Sequence, residues 1–198
     1  MQQPPIDIDR PHAWLVRHGE TEWARQGRHT GRTDIPLTEL GRRQATAVAA
    51  KLVGHRFALV LSSPLSRALE TARLAGYAKT VETDADLMEW DYGADEGRTT
   101  ADIRVDRPSW SIWDDGPDGG ESIDAVGTRV DRVIARVRAQ PGDALLFAHA
   151  HVLRILTARW IEQAPVLGRA FVLSTATVSV LGWEREQPVV ERWNEACG

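Results

Sequence analysis

Three short segments of the chain concentrate side chains suited to phosphoryl transfer. They are Arg17-His18-Gly19-Glu20-Thr21, then Ser62-Ser63-Pro64 with Arg67 close behind, then His149-Ala150-His151. Arginine grips phosphoryl oxygens through paired N–H donors and keeps its charge. A neutral imidazole can attack phosphorus and form a covalent intermediate, dividing one hard hydrolysis into two easier steps. Positive charge around that imidazole opposes its protonation and keeps the lone pair available. Gly19 permits close backbone approach, and helix N-termini behind Ser63 and at Ala150 would add oriented N–H groups. His149 and His151 form a His-x-His pair that also suits a metal, but a metal site needs at least a third ligand. No carboxylate cluster at ligand spacing supplies one.

For these residues to act together, the elements that carry them must bring them side by side. Ala13-Trp14-Leu15-Val16, the run from Phe57 to Leu61 and the run from Ala144 to Ala148 stand directly before the three segments. Each run is continuously apolar rather than alternating, as in strands covered on both faces of a parallel sheet. Ligands of open α/β sheets sit beyond the carboxyl ends of such strands, so convergence is expected. Thr38 caps a helix predicted to reach about Val53, with Gly54 as its stop. Ser63-Pro64 reads as a cap and first-position proline for a helix reaching about Leu74. Val152, Leu153, Ile155, Leu156 and Trp160 form an apolar stripe at helical spacing. Ser122 caps another helix, whose buried face is Ile123, Val126, Val130, Val133, Ile134 and Val137, and Pro141-Gly142 ends it. Val178 to Leu181 and Val189-Val190 predict a late strand pair turning near Glu184 to Gln187. The fold class expected is α/β, a three-layer α/β/α sandwich with a mostly parallel central sheet. The stretch from Thr83 to Gly120 has little periodicity. Its aromatics Trp90, Tyr92, Trp110 and Trp113 make it a packed cover over a site.

The length of 198 residues fits a single domain, with residues 1–11 as a loose polar arm. A net charge of -4 gives no support to nucleic-acid binding, so an anionic substrate needs a local basic pocket. The lone Cys197 provides neither a disulfide framework nor a zinc site and is compatible with a reducing cytoplasm. No apolar run is long enough to span a bilayer, and the start lacks a secretory pattern. A cytoplasmic protein without membrane partners is expected, with an edge strand or apolar helix face available for a homodimer.

Taken together, the segments resemble the histidine phosphatase superfamily, also called the phosphoglycerate mutase-like family. The resemblance runs through Arg17 to Thr21, Gly31 to Thr38 with Gly41, Ser62 to Ala72, Glu89 with Gly93 and Glu96-Gly97, and His149. It implies a phosphoglycerate mutase-like fold in which His18 is the phosphorylated nucleophile. Arg17, Arg67 and His149 would hold the phosphoryl oxygens, joined at the substrate by Thr30, Gly31, Tyr92 and Ala150. Glu89 would protonate the leaving oxygen and then activate water. Residue type alone leaves Glu20, Asp91 and Glu96 as competitors for that role, and only the family position selects Glu89. No metal and no organic cofactor are implied, and the partner is a small phosphorylated substrate. Arg28-His29-Thr30-Gly31, Glu89 to Gly93, Trp113 to Gly116 and Gly120-Glu121-Ser122 resemble the branch holding acid phosphatases and sedoheptulose-1,7-bisphosphatase.

Two departures stand out. Ala24 replaces an asparagine usual in phosphoglycerate mutases, and Ala150 replaces a glycine usual after the second histidine. The expected activity is hydrolysis of a small phosphomonoester, a sugar phosphate or bisphosphate among the candidates. The alternatives are a bisphosphoglycerate-dependent phosphoglycerate mutase and a non-catalytic phosphate-binding module. Only 59 residues separate Glu89 from His149, fewer than mutases carry there. His18, Arg17, Arg67, His149 and Glu89 all being present counts against the module. His151 reads as a substrate-side residue or as one that supports the site from behind. Arg25, Arg28, Arg32 and Arg98 read as a solvated basic face. For a substrate with a second phosphate, Arg28, His29, Arg32 or Arg98 would hold it.

Overall fold

The computed structural model describes residues 10–197. Six strands form one sheet: β1 (Ala13–Arg17), β2 (Leu59–Ser62), β3 (Glu82–Thr83), β4 (Ala144–Ala148), β5 (Thr177–Glu184) and β6 (Gln187–Ala196). Their order across the sheet is β3-β2-β4-β1-β5-β6. β3, β2, β4 and β1 pair in parallel, while β5 runs antiparallel to both β1 and β6. The mostly parallel sheet of the sequence reading is therefore present, with the late strand pair closing one edge.

The helices are α1 (Glu22–Arg25), α2 (Glu39–Leu52), α3 (Ser66–Ala72), α4 (Thr100–Asp106), α5 (Ile123–Arg138) and α6 (Ala150–Trp160). Alternate strand residues feed two separate cores, as a sheet covered on both faces requires. Ala13, Leu15, Ala144, Leu146 and Ala148 pack with α5 and α6, whereas Trp14, Val16, Leu145 and Phe147 pack with α2 and the end of α3. This makes the three layers. On α5, Val126, Val130, Val133 and Val137 are buried at helical spacing, each contributing roughly 1.5–3 kcal/mol by leaving water.

Local signals place most boundaries. Thr38 accepts from Gly41 N and Ser122 accepts from Ala125 N, each capping its helix as expected. One cap is corrected. Ser63-Pro64 does not open α3, which starts at Ser66 without a cap from its own side chains. Ser63 Oγ accepts from His149 Nε2 at 2.8 Å and from Leu65 N at 3.3 Å, ahead of the helix, and reaches no amide within it. The N-terminus of α3 is instead capped from a distance by Asp34, which accepts from Ser66 N and Ser66 Oγ, both at 2.9 Å. α3 also ends at Ala72, followed by a π-helical turn in which Gly76 takes φ 102°.

The expected loose arm falls mostly outside the described residues. Within them, Arg10 lies over the Trp183 ring and Pro11 accepts from Trp183 Nε1, so this part is packed down. The stretch from Thr83 to Gly120 is a packed cover as predicted, with Trp90, Tyr92 and Trp110 almost fully buried. It also holds α4, which periodicity missed because only one of its residues, Ile103, is buried. No described helix is long and apolar enough to cross a membrane.

Candidate active site

The three sequence segments leave the sheet next to one another because β2, β4 and β1 are consecutive in it. The ladder extends one residue into the site: His18 N donates to Ala148 O at 3.0 Å, and Ser63 N donates to Phe147 O at 2.9 Å. Ala176, just before β5, donates its N–H to the carbonyls of Arg17 and His18 at 3.0 and 3.2 Å. It does so from φ 52°, a left-handed conformation costly for alanine. Gly19 allows the chain to cross the start of α2, since a Cβ there would overlap the Gly41 carbonyl. Its close approach thus serves backbone packing under His18.

His18 Nδ1 lies 2.7 Å from Gly19 O. A carbonyl can only accept, so Nδ1 carries the proton and Nε2 keeps its lone pair. His18 is buried, and burial together with the charges of Arg67 and Arg17 holds its proton affinity well below the ordinary imidazole range. The ring is thereby held neutral and oriented, with the Nε2 lone pair available.

Arg67 and His149 form a buried layer beside it. The His149 ring lies 5.1 Å from that of His18. Its Nδ1 accepts from Arg67 Nε at 3.1 Å, which leaves Nε2–H to donate to Ser63 Oγ. Burial, then Arg67, keeps His149 neutral as well. Arg67 also donates to the carbonyls of Thr33, Thr30 and Gly31 at 3.0, 3.1 and 2.9 Å. Arg17 donates through Nη1 to Leu173 O at 2.6 Å, while its buried Nε has no acceptor among the described residues. An unpaired buried donor is costly, and a phosphoryl oxygen is an acceptor suited to it.

Glu89 approaches from the cover. Trp90 N and Val152 N donate to its Oε1 at 3.0 and 2.9 Å, and His151 N donates to Oε2 at 3.0 Å. The N-terminus of α6 therefore spends its second and third amides on Glu89. Arg129 fixes the segment leading to it, donating to Asp86 O and Met88 O at 2.6 Å each, and is itself paired with Glu121 at 2.8 Å. Tyr92 Oη and His151 Nδ1 share a hydrogen bond of 2.6 Å. Burial, then Glu89, keeps the tyrosine protonated by raising its proton affinity.

A cavity of about 400 Å³ opens on this arrangement, large enough for a small organic phosphate. Of the predicted residues, Arg17, His18, Thr30, Glu89, Tyr92 and Ala150 line it. Arg67, His149 and Gly31 stand behind that wall, bound to one another as described. His151, Arg28 and His29 also face the cavity, as does Ala24. Arg32 and Arg98 turn elsewhere, toward Asp91 and toward Asp106. Arg104 on α4 lines the cavity and was missed, because nothing local distinguishes it from other exposed arginines. Arg129 was missed because it sits within an apolar helical face. The His-x-His pair splits: His149 turns to Arg67 and Ser63, His151 to Tyr92. Among the described residues, no three His, Cys, Asp or Glu side chains are grouped to hold a metal.

The family model for the histidine phosphatase superfamily (branch 1) matches residues 13–196. An acid phosphatase of Mycobacterium tuberculosis is 39% identical over 175 residues, 86% of this chain and 85% of that protein. A sedoheptulose 1,7-bisphosphatase of Saccharomyces cerevisiae is 35% identical over 182 residues, 76% of this chain and 67% of that protein. The solved structure of the Rv3214 product of Mycobacterium tuberculosis superposes with a TM-score of 0.88 at 35% identity, covering 95% of this chain and 99% of that one.

Proposed function

The chain belongs to branch 1 of the histidine phosphatase superfamily, and from that premise we propose that it hydrolyses a small phosphomonoester with His18 as nucleophile. The observation that carries this is the His18 ring, held neutral by burial and the charges of Arg67 and Arg17, with Nδ1 committed to Gly19 O and Nε2 facing no hydrogen-bond partner among the described residues. In the first step Nε2 attacks phosphorus, the bond from phosphorus to the leaving oxygen breaks, and Glu89 delivers a proton to that oxygen. In the second, Glu89 takes a proton from water as the water oxygen attacks phosphorus. The P–N bond then breaks, inorganic phosphate leaves and His18 is restored.

Arg17 meets the phosphoryl oxygens directly, satisfying its Nε. Arg67 and His149 support the group from behind, each exchanging a protein partner for a phosphoryl oxygen when substrate enters. Thr30, Gly31, Tyr92 and Ala150 shape the remainder of the contact. The fixed charges of Arg17 and Arg67 supply the electrostatic stabilisation that a metal provides in other phosphatases. Activity insensitive to chelators is expected, and loss restored by one divalent ion would overturn that part. The acid phosphatase and bisphosphatase relatives favour sugar phosphates or bisphosphates as the substrate class. A single domain, a cytoplasmic setting, no nucleic-acid partner and a homodimer complete the reading.

The test is direct. His18→Ala should lower phosphate release from p-nitrophenyl phosphate by several orders of magnitude. A quenched reaction of the unaltered protein should trap phosphate on His18 in an acid-labile, alkali-stable bond. Undiminished turnover by the variant would sink the assignment. Conversion of 3- to 2-phosphoglycerate with negligible phosphate release would favour a mutase.

A further inference from the structure

We infer that Gln44, a residue of α2 outside the active-site cavity, is a positioning residue that holds His18 in its reactive tautomer through the peptide between Gly19 and Glu20. The inference rests on the hydrolase reading above and adds to it a side chain that never touches substrate.

A neutral imidazole can carry its proton on either nitrogen, and the hydrogen bond made by one nitrogen decides where the lone pair is left. In His18 that bond runs from Nδ1 to Gly19 O at 2.7 Å. The lone pair at Nε2 therefore depends on where one carbonyl points. Gly19 C=O and Glu20 N–H belong to the same planar peptide unit, so holding one holds the other. Glu20 N donates to Gln44 Oε1 at 2.9 Å. The result is a continuous chain of hydrogen bonds, from the Gln44 amide through the Gly19–Glu20 peptide to the His18 ring. Each bond in such a chain polarises the next, and the peptide cannot rotate without breaking both.

The sequence accounts for the reach of Gln44. Glycine at position 41 lets α2 pack directly on this peptide, since a Cβ there would overlap Glu20 O and crowd Glu20 N. Gln44 stands three residues later, on the same side of the helix. Ala45 and Val48 beside it are fully buried and supply the packing. Gln44 itself is half-buried, and Thr175 Oγ1, at 3.5 Å, is a more distant partner than Glu20 N. It does not line the active-site cavity but a separate hollow, with Thr175 and Ala176. An apolar side chain would serve the helix as well, so what the glutamine adds is the acceptor. The chain on either side is held independently. Gly19 N donates to Thr71 Oγ1 at 3.1 Å, that hydroxyl donates to Arg67 O at 2.7 Å, and Thr38 N donates to Glu20 O at 2.9 Å. The Gly19–Glu20 peptide is left with one donor and one acceptor, and they meet Gln44 and His18.

Gln44→Met keeps the length of the side chain and loses the acceptor, while Gln44→Glu keeps an acceptor oxygen. Loss of the acceptor frees the carbonyl and spreads His18 over both tautomers. For Gln44→Met, kcat/KM for p-nitrophenyl phosphate should fall by about tenfold or more, toward the roughly 10²-fold that misplacement by about 1 Å costs. Inhibition by inorganic phosphate, which reports the arginines rather than the ring lone pair, should change by less than about threefold. Gln44→Glu should recover most of the lost kcat/KM. Ring-nitrogen NMR of the free protein, with the His18→Ala spectrum identifying the signal, should place the proton on Nδ1 in the unaltered protein and in Gln44→Glu. In Gln44→Met it should be shared between the two nitrogens. Gln44→Leu gives the same comparison should Gln44→Met not fold. Undiminished kcat/KM, a matching loss of phosphate inhibition, failure of Gln44→Glu to recover activity, or an unchanged tautomer in Gln44→Met would each overturn the inference. Absence of His18-dependent turnover in the unaltered protein would overturn the hydrolase reading alone, since the tautomer comparison needs no substrate.

Discussion

Glu89→Gln separates chemistry from scaffolding at the residue that enters the site from the cover. The carboxylate accepts three N–H donors, two at Oε1 and one at Oε2. A glutamine can keep its oxygen toward Trp90 N and Val152 N, but its amide then faces the His151 N–H across 3.0 Å. The opposite flip places two donors against the amide. At least one buried donor is thus left without an acceptor, at a cost of about 1–3 kcal/mol. For a domain of this size that lowers Tm by roughly 2–12 °C. The catalytic loss is of another kind. A general acid contributes about 10²–10⁴-fold where the leaving group is poor, equivalent to about 2.7–5.4 kcal/mol of barrier. The parameter kcat/KM covers events up to phosphohistidine formation, so it should fall by that factor for an alkyl or sugar phosphate. For p-nitrophenyl phosphate, whose leaving group needs no proton, it should fall less than about tenfold. Water attack also relies on Glu89, so kcat should fall for both substrates. Stopped-flow measurement of p-nitrophenol should then show a burst approaching one equivalent per active site. Equal loss of kcat/KM on the two substrates, with no burst, would refute the acid–base role and leave Glu89 as a tether for α6.

Other expectations follow from the same geometry. His18 and His149 are buried and His151 is half-buried against the cover, and desolvation first, then nearby arginines, holds each well below the ordinary imidazole range. Unfolding restores ordinary affinity, so the unfolded chain binds more protons below about pH 6.5. The stability these groups contribute is complete above that pH and declines below it, by up to about 1.4 kcal/mol per pH unit for each. Thermal melts from about pH 7.5 to about pH 5 should show Tm falling, and a level profile would contradict the burial of neutral imidazoles. Gly19→Ala puts a Cβ onto the Gly41 carbonyl, so the backbone beneath His18 must move. A shift of about 1 Å there can cost about 10²-fold in kcat. Unchanged kcat would show that the loop yields without disturbing the nucleophile. Arg129→Met strands the Glu121 carboxylate and frees the Asp86 and Met88 carbonyls, so stability should drop by about 3 kcal/mol in denaturant titrations. A variant as stable as the parent would mean that the cover does not depend on this anchor.

The sequence by itself determined the sheet core, most of the helices around it and the convergence of His18, Ser63 and His149. Continuous apolar runs such as Ala144 to Ala148 suit strands covered on both faces, and the side chain next to a strand end has little freedom in where it goes. His18, Ser63 and His149 are each within a residue of a strand's last position, so their meeting was legible once the runs were identified. Thr38 and Ser122 were legible for a related reason, since a cap bonds to an amide three residues away. Only the tertiary structure decided which atoms face which. Ser63 could cap its own helix or bind His149, and the adjacency of β2 and β4 chose the second, leaving the cap to Asp34. By residue type Glu89 was one acid among four, singled out only by its family position, and the structure adds the α6 amides that meet it. Arg28 and Arg104 look like Arg32 and Arg98 in sequence, yet only the first two face the cavity without an acid. The physical reason is range. Strand burial and capping are set by neighbours along the chain, whereas a long side chain's partner is set by whichever segments the sheet order brings beside it.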